Sequence, residues 1–317
     1  MKGLWLKNGT LEFRNNIPDP VPEPGECLIR VTQAGICSTD IAMINGLNPF
    51  DGVLGHEFVG IVKDSASPLN GKRVVAEIYT SCGDCSYCRA GLRKHCQNGR
   101  VIGIINKNGA FADYISMPEQ NLYVVPDDIE DRAAVFVEPL PAAFDILEKV
   151  EIGPDTSVML IGAGKLGQLA ARVLATTSCP LTIVTRNESK KARLQSLGAD
   201  LITSKDLSDM TFDVVIDCTG DQDGLTTALA ATRPRGTLVL KSTVPGLASV
   251  DMTRVVVDEI NIVGSRCGPY AKALEYLQRG TIETKSLIDA SFSIGNSLEA
   301  MATAQQSGIL KVLLELD

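Results

Sequence analysis

Short apolar runs recur along the whole chain, but what separates them changes near residue 140. Before that point, ECLIRVTQAGIC (26–37), FVGIVKDS (58–65), KRVVAEI (72–78) and FADYISMP (111–118) are apolar or alternating stretches bounded by Gly, Pro and Asn. That punctuation predicts short strands in an irregular β domain. Beyond it, TSVMLIG (156–162), PLTIVT (180–185), FDVVIDCTG (212–220), GTLVLKST (236–243) and EINIVGS (259–265) are β-branched runs without alternation. Most are separated by helical stretches, among them KLGQLAARVLAT (165–176) and ESKKARLQSLGA (188–199). Continuously apolar strands alternating with helices predict a parallel sheet covered on both faces. The last fifty residues return to helix plus strand, with AKALEYLQRG (271–280) and LKVLLEL (310–316). The pattern predicts domains over 1–140 and 141–267, with 268–317 returning to the first.

Composition narrows the partners. Thirty-eight acidic residues against thirty Lys and Arg leave a formal charge of -8, which disfavours binding to nucleic acid or an anionic membrane. No apolar run approaches the ~18 residues that span a bilayer. Lys7, Asn8, Glu12 and Arg14 interrupt the N-terminal stretch before it could act as a secretory signal. We therefore expect a soluble, cytoplasmic protein acting on small molecules. In that reducing setting, clustered cysteines more often bind metal or do chemistry than pair as disulfides.

Such a cluster is present. Cys82, Cys85, Cys88 and Cys96 are spaced C-x-x-C-x-x-C with a fourth cysteine after seven residues. Four thiolates enclose a tetrahedral Zn²⁺ and leave no position for substrate, so the expected role is structural. His95 is a weaker candidate, because thiolates outcompete it when four are available. A second constellation lies in AGICSTDIAMINGLNPFDGVLGHEFVG. There Cys37, His56 and Glu57 supply a soft, a borderline and a hard donor, the mixture expected of an open catalytic zinc site. Taken singly, Cys37 reads as a small buried hydrophobe and His56 as a satisfied core histidine.

The third constellation is Gly162, Gly164 and Gly167, a G-x-G-x-x-G between a strand and a helix. The first glycine permits a tight turn, the second lets a pyrophosphate approach, and the third lets helix and strand pack closely. The helix N-terminus then offers free amides to the phosphates. A carboxylate at the tip of the next strand would bind a ribose 2′-hydroxyl, but Thr185 and Arg186 stand there instead. Arg186, with Lys190 or Lys191 behind it, suits a 2′-phosphate, which predicts NADP over NAD; Glu188 nearby argues the other way.

Together, GICSTD, GHEFVG, the four-cysteine loop, VEPLPAAF, GAGKLG, SLGAD, DVVIDCTG and NIVGSR make the chain resemble, over essentially its full length, the zinc-dependent medium-chain dehydrogenase/reductase family of alcohol, polyol and glucose dehydrogenases. The resemblance implies an α/β protein: a doubly wound Rossmann parallel sheet plus a mostly-β, GroES-like catalytic domain made from both chain ends. It implies two zinc ions per chain, with Cys37, His56, Glu57 and Glu138 around the catalytic one and the four clustered cysteines around the structural one. Glu138 otherwise reads as an acidic residue at a helix N-terminus, stabilised by the dipole. Thr39 matches the hydroxyl that contacts the substrate oxygen, and Asp40 a carboxylate that holds the His56 ring. Lys165, Leu166, Thr219 and Arg266 fall at cofactor-site positions of the matching motifs.

The implied reaction is reversible hydride transfer between an alcohol and the nicotinamide, with zinc as Lewis acid. A homodimer or homotetramer, paired through the edge strand in NIVGSR, is expected. Two departures separate the chain from the family pattern. Ile41, Ala42 and Met43 replace the histidine that commonly follows C-x-T-D, and only eighteen residues lie between Cys37 and His56. A zinc-free quinone or enone reductase, and a non-catalytic redox sensor that binds a dinucleotide, are the competing readings. Metal analysis and a panel of alcohols and carbonyls separate the three.

Overall fold

The computed structural model describes every residue from 1 to 317 except 65, 209, 245 and 317; Ser65, which closes the FVGIVKDS run, is therefore outside the described residues. The chain folds as two compact units. Unit 1 takes residues 1–138, 274–279 and 284–317, and unit 2 takes 139–273 and 280–283.

Unit 1 is built on a seven-stranded sheet. Its spatial order is Leu122–Val124, Arg73–Ala76, Glu57–Val62, Glu26–Gly35, Lys311–Glu315 and Ile288–Ser293, with Tyr114–Pro118 also paired to Glu26–Gly35. Neighbours run antiparallel, apart from the parallel pair Ile288–Ser293 and Lys311–Glu315. Alternation along Glu26–Gly35 sends Ile29 and Val31 into the core, where they join the fully buried Leu4, Phe111 and Leu314. At roughly 1.5–3 kcal/mol for each such side chain taken from water, this cluster is the main stabilising term of the unit. A small sheet of Tyr79–Thr80, Arg100–Ile102 and Asn106–Lys107 flanks the cysteine-rich loop.

Unit 2 carries a six-stranded, all-parallel sheet in the order Asp200–Ile202, Leu181–Val184, Val158–Ile161, Phe212–Asp217, Thr232–Leu240 and Asn261–Gly264. Val158–Ile161 and Leu181–Val184 are buried at every position, as strands covered on both faces must be. Relative to sequence, the order reverses beside Val158–Ile161. That reversal opens a crevice at the carboxyl ends of the strands, the place where doubly wound sheets bind nucleotides. Helix Lys165–Ala175 returns over the sheet with Leu169, Ala170, Val173 and Leu174 buried.

Two elements differ from the sequence reading. ESKKARLQSLGA forms a short helix, Glu188–Ala192, followed by a separate 3₁₀ turn at Gln195–Leu197. Leu194 is the sole fully buried side chain of that stretch, too little apolar surface to hold three turns as one helix. The other is Asp200–Ile202, an edge strand of three residues without a hydrophobic run to announce it. Among the described residues, no helix is long and apolar enough to cross a membrane.

Candidate functional site

In unit 1 the chemistry gathers where three neighbouring strands have their ends. Cys37 follows Glu26–Gly35, His56 precedes Glu57–Val62, and Lys311 opens the strand Lys311–Glu315. Register makes this a constellation: Gly35 pairs with Glu57 on one side and with Leu313 on the other. Gly35 is also the only residue type that fits, because a Cβ there would run into the Glu57 carboxylate and come within 2.6 Å of Val135.

One donor atom from each of Cys37, His56 and Glu57 lies within 4.8 Å of the other two. Asp40 organises the first two. Its Oδ2 accepts from the Cys37 backbone N–H at 2.8 Å, at the head of helix Ser38–Ile44, and its Oδ1 lies 3.2 Å from His56 Nδ1. Among the described residues, neither Asp40 Oδ1 nor His56 Nδ1 makes a hydrogen bond of good geometry, and both are buried. With the carboxylate at Nδ1, the imidazole keeps Nε2 as a lone-pair donor. Thr39 Oγ1 is 3.7 Å from Cys37 Sγ.

Glu57 has a partner that the sequence reading missed. The Lys311 ammonium donates to its Oε2, and both side chains are buried, with Lys311 lying over the Phe136 ring. A lysine directly before the apolar run of residues 312–314 was the available signal. Burial works against the charged His56 ring, yet the Asp40 and Cys37 charges raise its pKa well above the ordinary imidazole value. Burial pushes Glu138 up to about 7, with His56 pulling it down and Glu57 raising it further. Both shifts are upward: carboxylate and thiolate neighbours raise His56, and burial raises Glu138. Glu138 follows the turn Val135–Val137 and senses the His56 and Glu57 charges, but it is not in the 4.8 Å group.

The four cysteines of the loop converge as spaced. Their Sγ atoms are 3.4 Å apart for Cys82 and Cys96, 3.5 Å for Cys85 and Cys88, 3.9 Å for Cys85 and Cys96, and 4.0 Å for Cys82 and Cys88. A tetrahedron with ~2.3 Å Zn–S bonds has edges of about 3.8 Å, so the thiols already stand at the separations such an ion requires. None is in a disulfide. His95 is exposed and stands apart from the group.

In unit 2 the three glycines each meet a different constraint. Gly162 has φ +94, and a Cβ on it would stand 2.9 Å from the Cys218 carbonyl carbon. Gly167 could carry no Cβ without striking Gly162 O. At Gly164 a Cβ would meet nothing within 4 Å, so this N-cap faces open space, and no side chain caps the helix that starts there. The uncapped amides and the clear approach fit a pyrophosphate. Lys165 and Leu166 form the first turn of that helix.

Thr185, buried, directly follows the strand Leu181–Val184, and Arg186 and Glu188 beyond it are exposed. Asn187 is occupied in capping Glu188–Ala192, accepting from Lys190 N at 3.1 Å. The Thr219 hydroxyl and amide both donate to Asp217 Oδ1, at 2.6 and 2.8 Å. The Arg266 amide donates to Asp145 Oδ2 at 2.9 Å.

Comparison with known proteins identifies the family. Residues 23–127 match the family model of the alcohol dehydrogenase GroES-like domain, and 166–279 that of the zinc-binding dehydrogenases. The chain is 31% identical over 290 residues to an L-threonine 3-dehydrogenase of Xanthomonas campestris pv. campestris, covering 83% of this chain and 81% of that protein. It is 27% identical to a sorbitol dehydrogenase of Arabidopsis thaliana, over 94% of this chain and 90% of the relative. Among solved structures, a zinc-binding dehydrogenase from Sinorhizobium meliloti 1021 bound to NADP superposes with a TM-score of 0.90 at 26% identity, covering 99% of this chain and 98% of that one.

Proposed function

Since the chain belongs to the zinc-dependent medium-chain dehydrogenase family and is an NAD(P)-dependent oxidoreductase, we propose that it interconverts a secondary alcohol, of the polyol or sugar kind, with its carbonyl compound, using zinc in unit 1 and NADP in unit 2. The observation that carries this reading is the Cys37, His56 and Glu57 group, three donors of graded hardness with one ligand atom each within 4.8 Å of the others. The names of the sorbitol and threonine dehydrogenase relatives support a secondary alcohol.

When bound, zinc supplies Lewis acidity toward an oxygen ligand and the nicotinamide supplies the redox chemistry. The chain's own residues do the rest. Cys37 and His56 hold the metal; Asp40 fixes both, the cysteine through its backbone and the histidine through Nδ1. Thr39 offers a hydroxyl beside Cys37 to take the substrate proton onward. Lys311 donates to Oε2 of Glu57 and offsets its charge. Glu138 stands by as an exchangeable ligand, and Glu138→Ala is expected to loosen the metal and cut activity ~10-fold or more. Unchanged metal content and rate would return Glu138 to a helix-end role. The four clustered thiols hold the second, structural ion.

The test of the whole reading is metal analysis combined with a panel of alcohols and carbonyls, followed at the absorbance of the reduced nicotinamide. Two zinc ions per chain and turnover of a secondary alcohol are expected; a metal-free protein without turnover would refute it.

NADP is preferred on the strength of Arg186, which is exposed at the tip of the second strand where a 2′-hydroxyl would call for a carboxylate. A charge-assisted contact of ~1.5–3 kcal/mol corresponds to roughly a ten- to hundredfold preference. Arg186→Ala should raise the KM for NADP by that factor and leave NAD kinetics nearly unchanged. Tighter use of NAD by the unmodified enzyme would overturn the assignment.

A second copy of this chain is the expected partner. Asn261–Gly264 is an outer strand of the parallel sheet, Ile262 is exposed on it, and Met252, Val256 and Val257 are exposed on the helix before it. An unpaired apolar edge invites strand pairing, and a charge placed on it blocks that pairing. We expect a dimer or tetramer by light scattering, converted to smaller species by Ile262→Lys; a monomeric mass for the unmodified chain rejects the assignment. Nine free cysteines suit a reducing compartment such as the cytoplasm.

A further inference from the structure

Lys241 follows Leu240, the last residue of strand Thr232–Leu240, and its backbone N–H donates to Asp217 O on the neighbouring strand at 3.0 Å. It therefore stands at the carboxyl end of the parallel sheet. Its side chain does not extend freely into solvent. Nζ donates to Ser265 Oγ and to Arg266 O, both at 3.1 Å. Both acceptors are themselves tied to Asp145: the Ser265 hydroxyl donates to Oδ2 at 2.8 Å and the Arg266 amide to the same oxygen at 2.9 Å. Four side-chain torsions that an exposed lysine would have to give up on binding are thus already fixed in the free protein.

An ammonium has three donors in a tetrahedral arrangement, and the described residues accept from two. Fixing two fixes the direction of the third. The position on the sheet says what could meet it. A doubly wound sheet binds a dinucleotide across the crevice, one mononucleotide on each half. The glycine turn and Arg186 mark the half formed by Val158–Ile161, Leu181–Val184 and Asp200–Ile202 as the adenosine side. Phe212–Asp217, Thr232–Leu240 and Asn261–Gly264 are left for the nicotinamide side, and Lys241 occupies the end of the middle one.

We propose that Lys241 is a pre-organised cofactor-binding residue whose third N–H donates to the nicotinamide mononucleotide half of the dinucleotide, at a carbonyl or hydroxyl oxygen. This rests on the reading of unit 2 as a nicotinamide dinucleotide site. Ser265 and Asp145 act through it as positioning residues.

The two halves of the ligand provide the test. Affinities of the intact protein and of Lys241→Met are measured by calorimetry for two probes: NADPH, and 2′,5′-ADP, which lacks the nicotinamide half. Loss of one charge-assisted hydrogen bond predicts about a tenfold or larger weakening for NADPH, with 2′,5′-ADP within twofold of the unmodified protein. Lys241→Gln, which retains donors for Ser265 and Arg266 O but is shorter and uncharged, should give the same split and serves if the methionine variant melts early. Equal affinities in both proteins overturn the proposal, because the third donor then faces only water. Equal weakening of both probes also overturns it, because Lys241 then acts through the fold. If the unmodified protein binds neither NADPH nor NADH, the dinucleotide reading itself fails and this inference falls with it; binding with an unchanged ratio sinks the Lys241 assignment alone.

Discussion

Cys37→Ser is expected to reduce turnover by about three orders of magnitude or more, while the protein stays folded and retains one zinc per chain. The effect is large because a Lewis-acidic metal lowers the barrier by several kcal/mol, and each ~1.4 kcal/mol is tenfold in rate. A serine hydroxyl does not ionise near neutral pH and so cannot replace the thiolate as a ligand. Folding should survive for a local reason: Asp40 grips residue 37 through its backbone N–H, and that bond is independent of the side chain. The four thiols of the loop form a group of their own and should keep their ion. Steady-state rates, metal content by mass spectrometry and circular dichroism on one preparation check all three parts. Near-normal activity in the variant would remove Cys37 from the catalytic site.

Lys311→Met carries the second large effect, this time on stability. Glu57 and Lys311 are 1% and 4% exposed, so solvent screens their pairing little. Replacing the ammonium by a thioether leaves a buried carboxylate without its partner, a change that typically costs about 3–5 kcal/mol. The loss should appear in full in chelator-treated protein and shrink when zinc is added, because a divalent cation can supply the missing positive charge. Denaturant titrations of the variant and the unmodified protein, with and without zinc, measure both quantities. Identical midpoints throughout would mean that the pair contributes nothing. Burial opposes the Lys311 charge, but Glu57 and Cys37 raise its pKa above the ordinary lysine value. A raised folded-state value gives a contribution that is complete at neutral pH and fades only as alkaline pH passes through it.

The two examples differ in how far they could be read along the chain. Cys37 and His56 belong to motifs in which neighbouring residues carry the meaning, and the glycines of the nucleotide turn are explained within six positions of one another. The parallel strands are legible for the same reason: burial on both faces writes itself as an unbroken apolar run, seen in Val158–Ile161 and Leu181–Val184. Lys311 is not legible this way. Its meaning lies in Glu57, 254 residues distant, and depends on the register that sets Gly35 between them. Lys241 likewise takes its role from Ser265 and Asp145, which its own run GTLVLKST does not contain. Where local signals overreach, at residues 188–199, helix-forming residues are present but a buried stripe is not, and tertiary packing decides the length.

The placement of Lys311–Glu315 between Glu26–Gly35 and Ile288–Ser293 has a temporal consequence for a chain made from its N-terminus. At ~5–20 residues per second, the 254 residues separating Glu57 from Lys311 take about 13–50 s to synthesise. Until Lys311 emerges, residues 33–35 lack their outer partner, although Tyr114–Pro118 already covers residues 26–30, and Glu57 lacks its counter-charge; all six strands of the parallel sheet precede Lys311 in the chain. A nascent chain would therefore carry a complete nucleotide fold beside an unfinished, pairing-competent sheet. Chains truncated just before Lys311 should aggregate or be degraded, although the sheet then lacks only the strand Lys311–Glu315.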